Sequence, residues 1–281
     1  MGIPAVVVDS GGLPVTESTN GYGLSMTTVT TAVGGTAITI IGSGGLPVIL
    51  SSFAAASQTA FLDFVNADYT VNGSTVAIAS VLGGAFVAGD IVASGMKVWH
   101  ANSNRPNAIG VLFDLIEAGM ATGMTVVFEI DWDGASSSGL LSICDPPDFN
   151  TANFFFESYV GDDFDDILTM MDTGGGGGGG DLAIAEQAAF LPEWNATGIN
   201  RIGMTLSRNI GGGQYRYAGA VNGQTAVSQD VGYSMETNFP SIAKIAIGHI
   251  DDFSIAYDAS YIRSIAFYPA VDETTLAALT A

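Results

Sequence analysis

The chain is short of the residue types on which most protein chemistry depends. It has one cysteine, Cys144, two histidines, His100 and His249, and only seven lysines and arginines in 281 residues. A single cysteine excludes an intrachain disulfide framework and any zinc site built on cysteine pairs, and Cys144 reads as a small buried apolar side chain. The two histidines lie far apart and neither has a nucleophile signature beside it, so a Ser-His-Asp arrangement has no support and both read as structural. Seven cations against 28 acidic residues leave a formal charge of −21. Phosphate neutralisation needs clustered Lys and Arg, so no nucleic-acid partner is expected.

Long apolar runs are missing too. Mean hydropathy is positive, +0.38, yet the apolar residues come in strand-length runs such as 37–41, broken by Gly, Ser and Thr. None approaches the ~18 residues of a spanning helix, so no membrane insertion is expected. The opening Met-Gly-Ile-Pro-Ala-Val lacks a basic segment, an apolar core of signal-peptide length and the myristoylation pattern, so the expectation is neither a secretion signal nor a lipid anchor.

What is present is β-structure of two textures. In the first fifty residues Gly11-Gly12-Leu13-Pro14-Val15-Thr16 recurs as Gly44-Gly45-Leu46-Pro47-Val48-Ile49, with weaker echoes at 20–28 and 34–41. The repeating unit is a Gly-rich turn followed by a short strand. Pro14 and Pro47 each remove a backbone donor, which confines their strands to edges or bulges. Strands this short bury no core alone. The segment is therefore read as an anchor that docks on a larger assembly or pairs with copies of itself. The Ala-rich stretch Phe53-Ala54-Ala55-Ala56 reads as a short helix or linker.

Beyond it the patterning is that of a larger β-domain. Strands are expected at 61–65, 69–71, 75–79, 91–93, 140–144, 153–159, 201–206 and 242–248, with a hairpin turning on Asn222-Gly223. Residues 125–133 alternate, with Val126, Phe128, Ile130 and Trp132 on one face and Val127, Glu129, Asp131 and Asp133 on the other. Ile109, Leu112, Phe113 and Ile116 fall at helical spacing and predict an amphipathic helix ending near Gly119. The seven glycines Gly174 to Gly180 read as a surface loop or packing element. Phosphate cradling is a poor reading of them, because Asp172 and Asp181 flank the run and no Lys is near.

The order Ile199-Asn200-Arg201-Ile202-Gly203-Met204-Thr205, Tyr217-Ala218-Gly219-Ala220-Val221-Asn222-Gly223, Ile245-Ala246-Ile247-Gly248, then Ile262-Arg263-Ser264-Ile265-Ala266-Phe267-Tyr268-Pro269 resembles the concanavalin A-like, or laminin-G-like, jelly roll. The segment Asp272 to Thr280 would follow the last strand. Leu62-Asp63-Phe64-Val65-Asn66 with Tyr69-Thr70-Val71-Asn72-Gly73 resembles the first hairpin of such domains in structural proteins of tailed bacteriophages, and the Gly-Gly-Leu-Pro-Val repeat resembles leaders of phage virion proteins. The resemblance implies an all-β protein: an N-terminal Gly-rich repeat segment of short strands, residues 1–52, then an antiparallel jelly-roll β-sandwich, residues 53–281, with one or two short helices.

Glu129, Asp131 and Asp133 share a strand face, the pattern on which jelly-roll glycoside hydrolases resembling laminarinases place their carboxylates. Retaining hydrolysis needs two carboxyl groups ~5–5.5 Å apart. Here the third position is the shorter Asp, and Gly134 at once opens a Ser-rich loop, so a solvated strand face running into a turn is the preferred reading; such a face could still hydrogen-bond sugar hydroxyls without hydrolysing anything. Among the loop and strand-end aromatics Tyr159, Tyr215, Tyr217, Tyr233 and Tyr257, Tyr215 and Tyr217 share a face opposite Arg216. They join the three carboxylates as glycan-binding candidates. Asp162, Asp163, Asp165 and Asp166 are the candidate calcium ligands, with Asp251-Asp252 as a second acidic pair; a solvated acidic loop is the preferred reading of both, with no cofactor, and calcium is the alternative.

The expectation is a non-enzymatic virion structural protein, of fibre, spike or decoration type, at the particle surface. Residues 1–52 would hold it to other virion proteins, as a homo-oligomer and first of all a trimer, and the jelly roll would face outward toward host-surface glycan. The alternatives are a polysaccharide depolymerase using Glu129, Asp131 and Asp133, and a capsid or tail decoration protein without a ligand.

Overall fold

The computed structural model describes residues 57–83, 91–97, 106–132, 138–144, 155–160, 166–172, 181–186, 198–232, 234, 244–247 and 261–281, together with four short strands nearer the N-terminus. The chain divides into two compact units, Met1–Ser57 and Gln58–Ala281.

The first unit holds β1 (Val15–Thr19), β2 (Ser25–Thr30), β3 (Thr36–Ile41) and β4 (Pro47–Val48). They form one antiparallel sheet in the order β1-β2-β3-β4. Each repeat therefore contributes a strand, and the strands pair with one another within the chain. Pro47 lies in an edge strand, where its missing N–H interrupts no ladder.

The second unit carries seventeen described strands in two sheets. In chain order they are β5 (Ala60–Asp63), β6 (Asp68–Val71), β7 (Ser74–Thr75), β8 (Leu82–Gly83), β9 (Ile91–Val92), β10 (Gly95–Lys97), β11 (Asn107–Ala108) and β12 (Met124–Trp132). After these come β13 (Ser138–Cys144), β14 (Phe155–Val160), β15 (Asp166–Asp172), β16 (Asp181–Glu186), β17 (Gly198–Gly211), β18 (Gln214–Val221), β19 (Val227–Val231), β20 (Lys244–Ile247) and β21 (Tyr261–Pro269). The larger sheet runs β19-β18-β17-β12-β21-β5-β6-β7, with β10 paired to β21 and to β9; the second runs β16-β15-β14-β13-β20-β11-β8. Every described pairing is antiparallel, and the all-β sandwich expected from sequence is the fold observed.

Alternation decides which side chains enter the core. Val126, Phe128 and Ile130 of β12 are at most 1% exposed and meet Ile202, Met204, Ile265 and Phe267 of the neighbouring strands, with Leu141, Ile245 and Ile247 from the second sheet in the same cluster. Helix α1 (Gly110–Thr122) adds Leu112, Ile116 and Met120. It runs past Gly119 to a cap at Gly123, where φ is +87°. The helix runs through Gly119 because a mid-helix glycine costs only about 1 kcal/mol, and a Cβ at this position would come within 2.9 Å of Met124 Sδ.

One local expectation changes. The strand expected at 75–79 stops at Thr75, and Ile78–Ser80 forms a 3-10 turn. Ser80 donates both its N–H and its hydroxyl to Ala77 O, at 2.9 and 2.6 Å, so local bonds take the backbone out of the sheet. The Leu- and Ala-rich tail is a second helix, α2 (Glu273–Thr280), opened by Asp272, whose carboxylate accepts the N–H of Thr275 at 2.8 Å. That acceptor satisfies one of the orphan donors of the first turn.

Candidate functional site

The outer face of the larger sheet, away from the core cluster, is where the polar chemistry gathers. Val127, Glu129 and Asp131 lie on it, as alternation predicted. Glu129 stands opposite Arg201 of β17 and Ser264 of β21.

One irregularity decides the site. Ile262 and Ile265 both point inward at 0% exposure although three residues apart, because the register of β21 on β12 shifts between Glu129 and Ile130. Two residues, Arg263 and Ser264, are thereby turned outward against the one residue Glu129. This is the geometry of a β-bulge, which re-aims a side chain. Arg263 Nε donates to Glu129 Oε1 at 2.9 Å, and Arg201 Nε donates to Glu129 Oε2 at 3.0 Å. Both oxygens of Glu129 are thus engaged by guanidinium groups.

A cavity of about 320 Å³ opens over this set, lined further by Asp63, Asn66, Ser264 and Tyr268, with Leu279 of α2 at one end. Asp63 is spent on shaping it: Oδ1 accepts the N–H groups of Val65 and Asn66, and Oδ2 accepts the Asn66 amide at 2.7 Å. Burial lifts the Tyr268 phenol above its ordinary value, against the smaller pulls of the bond from Gln58 and of Arg201. It is therefore a neutral hydroxyl at physiological pH. The cavity offers several donors and acceptors over a partly apolar floor of Val127 and Ala266.

Helix α2 crosses the same face and is tied down at both ends. Leu276 and Thr280 sit on Gly203, where a Cβ would come within 2.6 Å of Thr280 Cγ2 and 2.8 Å of Leu276 Cδ1. At its C-terminal end Arg201 Nη1 donates to Ala281 O, and Thr280 Oγ1 accepts the Gly223 N–H at 3.1 Å. At its start Glu273 bridges Arg208 (3.0 Å) and Arg216 (2.6 Å), and Arg216 makes a two-pronged pair with Asp230. Arg208 and Arg216 are direct cross-strand partners. Like charges so placed repel; Glu273 between them reverses the sign. Although burial opposes it, the bond to its own main chain and those from Arg216 and Arg208 hold the Glu273 carboxyl below its usual value, while Asp272 is lowered by its bond from Thr275 and Asp230 by Arg216.

Of the glycan-binding residues expected from sequence, Glu129 and Asp131 share this face. Tyr217 is corrected: it is 1% exposed, with its hydroxyl 2.9 Å from Ser207 Oγ, and cannot reach a ligand. Tyr215 packs half-buried against the same core, with Arg216 turned to the other face. Asp133 lies outside the described residues, as do Tyr233, Tyr257, both histidines, the glycine run, 53–56 and Asp251-Asp252. Of the calcium candidates Asp162, Asp163 and Asp165 also lie outside them, and Asp166 begins β15. Among the described residues no cluster of His, Cys, Asp and Glu could hold a metal, and no helix is long and apolar enough to cross a membrane.

Arg201 and Arg263 were missed as site residues. The signal for Arg263 was present in Ile262-Arg263-Ser264-Ile265, where apolar residues three apart break the period of two.

No protein-family model and no curated protein matches the chain. Solved structures do. The CBM40 of a Ruminococcus gnavus IT-sialidase bound to α2,3-sialyllactose aligns over 57% of this chain and 83% of its own, at 16% identity and a TM-score of 0.44. A Trypanosoma rangeli sialidase in complex with 2,3-difluorosialic acid aligns over 95% of this chain and 44% of its own, at 10% identity and a TM-score of 0.46. The NanB sialidase of Streptococcus pneumoniae aligns over 56% and 24%, at 16% identity and 0.42. The chain thus spans less than half the length of the two whole sialidases. The expectation of a non-enzymatic chain is corrected on this finding: the structures it is similar to include whole sialidases beside a binding module. None of the three is a virion protein.

Proposed function

We propose that the unit 58–281 is a carbohydrate-recognition β-sandwich and that its site is the cavity over Glu129. The observation that carries this reading is the Arg201–Glu129–Arg263 set. A carboxylate held between two guanidinium groups presents acceptors and donors side by side in fixed positions, as adjacent sugar hydroxyls require, and the fixing comes before the ligand arrives. Asn66, Ser264 and Tyr268 supply further neutral hydrogen-bonding groups around it.

The four-stranded unit is the part that would hold the protein to a larger particle, with self-association as its second use. The setting on a phage virion surface rests on the resemblance of the Gly-Gly-Leu-Pro-Val repeat and the first hairpin to virion proteins, and the trimer is part of the same proposal.

The test is a glycan array followed by titration calorimetry on the full chain and on Arg263→Ala and Glu129→Gln. Binding by the parent that is lost in both variants is the expected result. Binding that survives both places the site elsewhere. No binding to any glycan, with attachment to particles intact, replaces recognition by a purely structural decoration role. Release of reducing ends in the same samples would add hydrolysis to recognition.

A further inference from the structure

Next to the Glu129 row, on the side away from α2, the outer face carries a second row: Ile199, Asp131, Tyr261 and Lys97. They come from β17, β12, β21 and β10, and each is the direct cross-strand partner of the next. Their chain neighbours Asn200, Ile130, Ile262 and Met96 are buried at 0–1%. Alternation therefore turns all four outward. Ile199 is 47% exposed, and the other three are half-buried.

Its chemistry is that of a sugar platform. An aromatic ring, Tyr261, stands between an acceptor, Asp131, and a donor, Lys97, with an apolar side chain beyond Asp131. The apolar C–H face of a pyranose packs on such a ring while its rim hydroxyls reach the flanking polar groups. The row lies two residues along the strands from Glu129, about 6.6–6.8 Å, roughly the advance of one ring in an extended oligosaccharide. Helix α2 sits on Gly203, the partner of Val127, so a chain leaving the cavity away from α2 passes Glu129 toward Asp131 and Tyr261.

Charge narrows the ligand. Arg201 and Arg263 are balanced by Glu129 and Asp63, and Lys97 by Asp131, inside a protein of net charge −21. Such a protein repels an acidic polymer at long range, and among the described residues the site has no local excess of cations to recover it. We propose that the site runs from the Glu129 cavity to a second subsite on Tyr261, and that its ligand is a neutral oligosaccharide of at least two pyranose units lying along β12 and β21. The proposal rests on the recognition reading above and adds ligand length, charge and a residue to it.

The experiment titrates the full chain with neutral gluco-, galacto- and manno-oligosaccharides of one to four units, with uronic-acid oligomers and sialyllactose as acidic comparators. Affinity should rise about tenfold or more from one unit to two, a gain of the size aromatic packing supplies. Tyr261→Ala should remove that gain; Lys97→Gln, a milder surface change, should reduce it. If length has no effect, or neither variant alters it while Arg263→Ala abolishes binding, the second subsite is wrong and the recognition reading stands. Tighter binding of the acidic comparators overturns the neutral ligand. If the parent binds none of the sugars, both fall together.

Discussion

Arg263 reaches Glu129 because β21 carries one more residue than β12 between the buried pair Ile262 and Ile265, and the 2.9 Å bond from its Nε is the product of that extra residue. Without the bulge one of Arg263 and Ser264 would face the core. The same device recurs in β17. There the register shifts between Thr205 and Arg208, Ser207 takes a φ of +53°, and Arg208 is turned outward toward Glu273.

Deleting Ser264 should therefore be far more damaging than Ser264→Ala. The deletion forces a polar side chain into the core or slips the strand by one residue, exchanging its faces. Equilibrium denaturation should show Ser264→Ala within about 0.5 kcal/mol of the parent and the deletion lower by more than about 3 kcal/mol.

Gly203 is the seat of α2. Gly203→Ala should lower stability by about 1–3 kcal/mol, the range for overpacking a filled site, since its methyl group collides with Thr280 and Leu276, both at most 1% exposed. Hydrogen exchange should show faster exchange in 273–280 and little change in α1.

Acid should loosen the start of α2 before the sandwich. Glu273, Asp272 and Asp230 all have carboxyls lowered in the folded protein. A group lowered on folding contributes stability that is complete above its unfolded value and is lost as pH falls through its folded one. The loss is thus confined to the range below about pH 5. Glu273→Gln should weaken α2 by on the order of 1 kcal/mol at neutral pH and flatten the acid dependence of exchange in 273–280. A variant with the same acid profile as the parent would count against the network.

Under α2 lies a buried hydroxyl pair. Thr125 Oγ1 and Thr205 Oγ1 are 2.8 Å apart, and Thr125 Oγ1 also accepts the Val271 N–H at 3.1 Å. Thr125→Val should cost about 1–3 kcal/mol because Thr205 and Val271 both lose a partner inside the protein. Adding Thr205→Val should recover part of it, leaving the share due to Val271. Chemical denaturation of the two single variants and the double variant gives that coupling directly.

Much of the architecture was legible from residue order because it is set by local rules. The period of two in 125–133 identified β12 and its two faces, Asn222-Gly223 with positive φ at both residues made the expected turn, and Pro47 marked an edge strand. Glu129 and Asp131 were found because alternation alone puts them together. Tyr217 was misassigned for the same reason: period two groups it with Tyr215 but does not say which face is the inside. Arg201 and Arg263 lie 62 positions apart and meet only through Glu129. No pattern within a strand joins them.

By itself, then, the sequence determined a β-protein of two textures, the faces of its strands and the classes of chemistry excluded by scarce Cys, His and cations, because these follow from periodicity and composition. The tertiary structure decided which acidic and basic residues meet, that Tyr217 is core and Tyr261 is surface, and that the last residues form a helix pinned across the sheet. Those outcomes depend on strand order, on two bulges and on which faces are covered, and each is a relation between residues distant in the chain.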